Sequence, residues 1–461
     1  MSAPFDAFQL PVPATGPFRS FRAGDLACRY PEPTADLLGT VARHLGSAGE
    51  RLARRSVEDI IQVIDGAAAR LADPHDPLRR EAEALIPAAT GYSPAMVRLV
   101  LDRMAADWRA DALRRVLGVE LGGTAAIDGS VPRGDRARTM ALGPRLAFHV
   151  FSGNVPGVAV TSLIRALLVK GPSFGKLAAG EPVLPVLFTR ALAALDPEIA
   201  DAVAVSYWPG GEEAPERVLL AAADTIIAYG GEEVVASLRT RAGPGHRLVL
   251  HGPKISFGAV GTASVEGGAE RLAARVARAV ATFDQQGCVS PHSIWVEGPE
   301  ARAAALAADI AAALRLLQDE IPRGAIDAAE AAAIQQERGA AEMRAHVDPR
   351  TRVWAGPGTT WTVVLERTEQ PRPSCLNRFV RVHPIDDLAR LPALLAPFRV
   401  HLQAIALEGA GDREERIARD LARAGATRIT SFDRLPWPPP EAHHDGAPPL
   451  RELLRWTDRE Q

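Results

Sequence analysis

The segment ATFDQQGCVSPHSIWVE, residues 281–297, sets a lone thiol, Cys288, between an amphipathic helical pattern and a strand-like run. A core would sooner have valine at such a junction. A thiolate is a strong nucleophile, so the position is a candidate for covalent chemistry, although free cysteine is also a common inert core residue. A second candidate is FSGNVPGVAV, residues 151–160. Gly153, Asn154, Val155, Pro156 and Gly157 form a tight turn opening a helix, so helical N–H groups and the Asn154 amide can converge on a phosphate or an oxyanion. Asparagine is equally at home as a plain helix cap. A third is AYGGEE, residues 228–233, where Gly230 and Gly231 let something approach the backbone closely. No G-x-G-x-x-G follows a strand, so the usual dinucleotide fingerprint is missing. His443 and His444 in HHDG are adjacent, diverge in an extended segment, and have no third ligand spaced to join them, so no metal site is expected.

Lysine usage adds one more candidate. Of 53 basic residues only Lys170, Lys176 and Lys254 are lysine. A lysine kept in so arginine-rich a chain points to a place where a compact ammonium is wanted. Lys176 ends the short run SFGKL.

These residues need a scaffold. At 461 residues the chain exceeds one hydrophobic core and implies two or three domains. With 47% hydrophobic and 24% charged residues and a formal charge of −3, it has an ordinary soluble composition. No basic footprint for nucleic acid is present, and no apolar run of about 18 residues predicts a membrane span. The three cysteines, Cys28, Cys288 and Cys375, lie far apart and form no C-x-x-C pair. With no signal-peptide pattern at the N-terminus, a reducing cytoplasm is expected.

Residues 1–32 read as an extended arm and 33–117 as a helical layer, together an N-terminal section running to 122. Residues 123–142 are turn-rich and polar, either a hairpin or a loop. From 143 to 254 strand and helix alternate with short connections, which predicts an α/β, doubly wound parallel sheet, the Rossmann-like part of the chain. Ligands of such sheets bind at the carboxyl ends of the strands. Residues 255–435 read as a second α/β domain carrying Cys288. Residues 436–461 read as a proline-stiffened tail with a final short helix.

Taken together, SGNVP, SFGKLAAGEP, LVLHGPK and FDQQGCVSPHSIWVE resemble, in order and spacing, the motifs of the aldehyde dehydrogenase superfamily. GNVP, YGGEE, HGPKISFG, DQQGCVSP and the terminal HHDGAPPLRELLRWTDRE are most similar to the LuxC-type acyl-CoA reductases, the fatty acid reductases of that superfamily. The resemblance implies an aldehyde-dehydrogenase-like fold with a small oligomerisation hairpin and tail, and a homo-oligomer. It also implies NADPH-dependent reduction of an acyl-CoA or acylated carrier. Cys288 would attack the thioester and expel the carrier thiol, and the acyl-enzyme would accept a hydride to release an aldehyde. Asn154 and the backbone N–H of Cys288 would hold the oxyanion. Lys176 would contact the adenosine ribose or its 2′-phosphate, and Gly230 and Gly231 would lie by the pyrophosphate, with Ser152 and Gly153 in the same cofactor site. An acyl-transferring or acyl-activating partner protein is implied as well. The superfamily glutamate that holds the nicotinamide ribose has no counterpart in SCLNRFVRV, residues 374–382. The glutamate that activates water in hydrolytic members falls on Leu250, with His251 next to it. A hydrolytic aldehyde dehydrogenase, an acyl-phosphate reductase and a silent scaffold are the competing expectations.

Overall fold

A computed structural model of the chain describes residues 3–14, 16–266, 268–368 and 370–460. It divides into two compact units, the first made of Met1–Thr90, Val97–Gly252 and Pro439–Gln461, the second of Gly91–Met96 and Pro253–Pro438.

The first unit is built on a six-stranded sheet. In spatial order its strands are Arg247–His251, Thr225–Tyr229, Ala147–Val150, Ser173–Leu177, Val203–Tyr207 and the edge strand Phe8–Gln9. All neighbours are parallel except the last pair. The four strands from Ala147 to Tyr229 are buried throughout, as continuous apolar runs covered on both faces must be. From the central strand Ala147–Val150 the chain first winds one way and then returns to the other side. The switch point therefore lies between Ala147–Val150 and Thr225–Tyr229.

Helices cover this sheet for reasons visible in their sequences. Val57–Ala72 opens on Ser56, whose hydroxyl accepts from Asp59 N at 3.1 Å, and it buries Ile60, Ile61, Ile64, Ala67, Ala68 and Leu71 on one stripe. Helix Val158–Leu168 packs nearly all round, which its mostly apolar sequence permits.

Residues 451–460 depart from the expected terminal helix. A single turn, Arg451–Leu453, is followed by the strand Arg455–Glu460, which pairs antiparallel with Ala137–Leu142. The ladder from Arg455↔Leu142 to Glu460↔Ala137 satisfies the backbone of both segments, and six residues are too few to hold a helix alone. Val131–Pro132 adds a third strand.

The second unit has a seven-stranded sheet in the order Arg352–Ala355, Thr362–Leu365, Phe379–Ile385, Pro291–Glu297, Ile255–Val260, Leu402–Glu408, Arg428–Thr430. Only the Arg352–Ala355 edge is antiparallel. The Ala-rich run after Pro299 is two helices, Glu300–Glu320 and Ala328–Val347, the second started by a capping box between Asp327 and Glu330. Among the described residues, no helix is long and apolar enough to cross a membrane.

Candidate active site

The second unit shows why D-Q-Q-G precedes the cysteine. Helix Ala269–Ala281 ends, and the chain turns through Phe283, Asp284 and Gln285 at φ of 57°, 47° and 67°. Three consecutive non-glycine residues in left-handed conformation cost on the order of 1–3 kcal/mol each, so their side chains must hold them. Asp284 accepts from Arg378 Nε at 2.8 Å and pairs with its Nη2 at 2.6 Å, while its other oxygen accepts from Gly324 N at 2.9 Å. Gln285, fully buried, donates to Pro291 O at 2.8 Å and Phe379 O at 3.0 Å and accepts from Phe379 N at 2.9 Å. Gln286 donates to Glu330 and Asn377, both at 3.3 Å. The facing segment Leu376, Asn377 and Arg378 is left-handed too, at φ of 64°, 56° and 64°. Two strained turns thus brace each other through polar side chains.

The brace ends in an exposed Cys288. Its carbonyl accepts from Ser256 Oγ at 2.8 Å, and that oxygen accepts from Ala404 N at 3.1 Å. Ala404 is in register with Arg428 on the last strand of the sheet. Burial pushes the Arg428 guanidinium down to about 10, and electrostatic coupling to Cys288 acts in the opposite sense. Arg428 is otherwise held by the carbonyls of Arg434 and Leu435. A cation coupled to this sulfur favours the thiolate. By contrast, burial pushes Cys28 and Cys375 each up to about 11. Of the three thiols, Cys288 alone is exposed.

In the first unit the turns after Ala147–Val150 and Thr225–Tyr229 stand at the same sheet end, beside the switch point where ligands of doubly wound sheets bind. They carry Ser152, Gly153 and Asn154 on one side and Gly230 and Gly231 on the other. Asn154 is exposed and Ser152 half-buried. Gly153 is there for packing: a Cβ would come within 2.8 Å of Gly180 Cα and 2.9 Å of Glu181 N. Gly231 caps Glu232–Arg241, and a Cβ there would meet nothing within 4 Å, an open cradle at a helix start. The first turn of that helix carries Glu232 and Glu233, which complement its dipole and compete with an incoming anion.

Lys176 lies one strand over, paired with Val150. It is buried, 3.8 Å from Glu216 Oε1, with its ammonium 5.6 Å from the Trp208 ring centre. Burial pulls its pKa down, opposed by Glu216 and Glu212. Arg241 binds the other Glu216 oxygen at 2.5 Å. Lys176 and Arg241 thus share the Glu216 carboxylate, with Glu212 acting on the same ammonium. Glu216 was not legible beforehand, because it comes from a helix 40 residues along. The open glycine cradle at the switch point fits a dinucleotide phosphate, and the Lys176 ammonium lies one strand over from it.

The HHDG segment is placed by the first unit's own sheet. His251, the last residue of Arg247–His251, bonds Asp445 Oδ2 through Nδ1 at 2.9 Å. The His444 ring lies 4.0 Å from the His251 ring and takes a hydrogen bond from Arg165 Nη1 at 3.1 Å. The side chains that converge are His444, Asp445 and a strand residue far back in the sequence. Donor atoms of the three lie within 4.8 Å of one another. Sequence spacing around His443 gave no sign of this third residue.

The geometry can be set beside known proteins. A family model described as acyl-CoA reductase (LuxC) matches residues 52–456. The chain is 25% identical to a long-chain acyl-protein thioester reductase of Aliivibrio fischeri over 382 residues, covering 80% of this chain and 75% of that protein. It is 26% identical to long-chain acyl-protein thioester reductase 2 of Photobacterium leiognathi, covering 80% and 76%. Among solved structures it is similar to aldehyde dehydrogenase 21 of Physcomitrella patens in complex with succinate, with a TM-score of 0.77 at 12% identity over 100% of this chain and 99% of that one. Aldehyde dehydrogenase C of Pseudomonas syringae, complexed with NAD+ and octanal, gives 0.75 at 15% identity over 98% and 96%. Likeness at that identity establishes the aldehyde-dehydrogenase-like α/β fold. With the family model spanning most of the sequence, the chain belongs to the LuxC acyl-CoA reductase family.

Proposed function

We propose that this oxidoreductase reduces a long-chain acyl thioester, carried on coenzyme A or on a protein, to the aldehyde with NADPH through an acyl-cysteine at Cys288. The observation that carries it is the exposed Cys288 thiol, coupled to Arg428, at the end of a braced left-handed turn. Its sulfur attacks the thioester carbonyl carbon, and the carrier thiol leaves as the new thioester forms. The Asn154 amide and the Cys288 N–H hold the oxyanion, a donor of this kind being worth about 10²–10³ in rate. Ser152, Gly153, Lys176, Gly230 and Gly231 belong to the strand ends that would hold the cofactor. When bound, the cofactor supplies the hydride that reduces the acyl-enzyme. An acyl-transferring or acyl-activating protein is the proposed partner, and the protein is proposed to be cytoplasmic. Pairing of subunits through 123–142 and 436–461 is proposed to make a homo-oligomer.

The test is NADPH oxidation and aldehyde formation across a panel of acyl-CoAs. Run backwards, aldehyde plus NADP is expected to give little free acid unless a thiol acceptor is present, because Leu250 stands in place of the water-activating glutamate. Rapid acid formation without thiol would move the protein to the oxidising, hydrolytic branch.

Lys176 bears on cofactor choice. Lys176→Ala is expected to lose much more NADPH than NADH affinity, roughly tenfold or more for a lost ammonium–phosphate pair of about 1.5–3 kcal/mol. Titrating each nucleotide by fluorescence checks it. Equal losses would mean that the ammonium, beside Glu216, serves something common to both, such as the ribose.

A further inference from the structure

Phe283 opens the turn that carries Cys288, and its peptide groups have left the helix ladder. Helix Ala269–Ala281 closes where Thr282 N bonds Arg278 O, and the next residue turns to φ 57°. The N–H and C=O of Phe283 therefore need partners beyond the helix. The carbonyl accepts from Gln286 N at 2.8 Å, which closes the turn. Both groups also meet one short stretch of the second unit, Gly91–Met96. The Tyr92 hydroxyl donates to Phe283 O at 3.1 Å, and Met96 Sδ accepts from Phe283 N at 3.4 Å. The Phe283 ring packs edge-on against Trp437, with centres 4.9 Å apart. Donor, acceptor and side chain of this one residue are each held from elsewhere in the chain.

The stretch that holds them is itself fixed. Gly91 sits at φ 77°, and its carbonyl accepts from Ala325 N at 2.7 Å. A Cβ on Gly91 would come within 2.9 Å of Ala325 O, and one on Gly324 within 2.3 Å of Gly91 O, so glycine lets the two backbones touch. Gly324 N in turn donates to Asp284 Oδ2 at 2.9 Å, so the same contact reaches the residue after Phe283. Met96 is fully buried, and its N–H donates to Ser93 Oγ at 3.2 Å in the first turn of helix Pro94–Asp107. Burial, and after it Asp284 and Glu330, push the Tyr92 phenol well above its usual range, so its proton stays in place to be donated. Phenylalanine would fill the same space; what tyrosine adds is a hydroxyl, and the hydroxyl reaches Phe283 O.

We propose that Tyr92 and Met96 are positioning residues for Cys288, clamping the peptide groups of Phe283 and so fixing the direction from which the sulfur meets an acyl carbon. The role rests on the acyl-cysteine chemistry proposed above. The turn is tied at both ends, to Tyr92 and Met96 where it begins and, through Cys288 O, to Ser256 Oγ where it ends. A nucleophile misplaced by about 1 Å loses on the order of 10²-fold in rate. The phenol carries no charge, so removing its oxygen leaves the charges around the sulfur as they were and changes position alone.

The experiment compares wild-type protein with Tyr92→Phe. Two rates are read at the Cys288 peptide at one pH. Acylation by a labelled long-chain acyl-CoA without NADPH needs a directed attack, whereas alkylation by iodoacetamide needs only an accessible thiolate. Tyr92→Phe is expected to acylate about 10–10²-fold more slowly, to alkylate at close to the wild-type rate and to unfold cooperatively on heating. In steady-state turnover with NADPH the loss should fall on kcat, with KM unchanged. Wild-type acylation in Tyr92→Phe overturns the proposal. So does a joint fall of acylation, alkylation and unfolding temperature, which marks a merely structural role. Should Tyr92→Phe fail to fold, Met96→Leu keeps the volume and removes the sulfur acceptor. Slower acylation at unchanged alkylation then supports the clamp, and wild-type acylation overturns it. A wild-type protein that is alkylated but never acylated removes the reductase reading and this role with it, a result read before any variant.

Discussion

Cys288→Ala is expected to abolish turnover, with a loss on the order of 10⁴–10⁶-fold, because no other group can form the covalent intermediate. The other thiols are poor substitutes. Burial pushes Cys28 and Cys375 to about 11, so each is almost wholly protonated at neutral pH. Incubation with labelled acyl-CoA in the absence of NADPH, followed by peptide mapping, should place the label on Cys288 alone. A label on Cys375, or full activity in Cys288→Ala, would end the covalent mechanism proposed here.

Breaking the ion pair beneath that cysteine should unfold much of what positions it. Arg378 is fully enclosed, and burial pulls its guanidinium below the usual arginine range while Asp284 opposes the fall. Removing either partner leaves a buried charge unanswered, a loss of about 3–5 kcal/mol. Arg378→Met should therefore lower the urea midpoint sharply. Asp284→Leu with Arg378→Met should lose clearly less than the two single changes added together, since the pair then disappears as a unit. Strict additivity, or a single change costing under about 1 kcal/mol, would mean that Asp284 and Arg378 contribute independently to the turn.

Much of this was legible in the sequence, and what was not has a physical cause. Continuous apolar runs such as TIIAY and AVAVSYW announce strands buried on both faces, and their alternation with helices gives the parallel sheet. The Cys288 junction stood out because a thiol had no packing reason to be there. The partners of that cysteine were hidden, because left-handed backbone at Phe283, Asp284 and Gln285 has no glycine to advertise it. It is imposed by residues about 90 positions away. The final strand failed as an expectation because RWTDRE becomes a strand only through its partner Ala137–Leu142. Likewise no residue near His443 in the sequence marks the partner of HHDG, because Asp445 meets His251, the end of a strand from another part of the chain.

The interleaving of the two units has a consequence for how the molecule forms. Pro253–Pro438 interrupts the first unit as one long excursion, after which Pro439–Gln461 returns to pair with Ala137–Leu142 and to bring Asp445 to His251. Closing an unstructured excursion of roughly 190 residues costs on the order of 4–5 kcal/mol in chain entropy. An excursion that has already folded keeps its ends at a fixed separation and removes most of that cost. Folding order should therefore run from inside outward, the inserted unit condensing early and the tail strand zipping last. For the same reason no single continuous fragment contains the first unit, and gene fusions that exchange it between relatives must carry three separate stretches of chain.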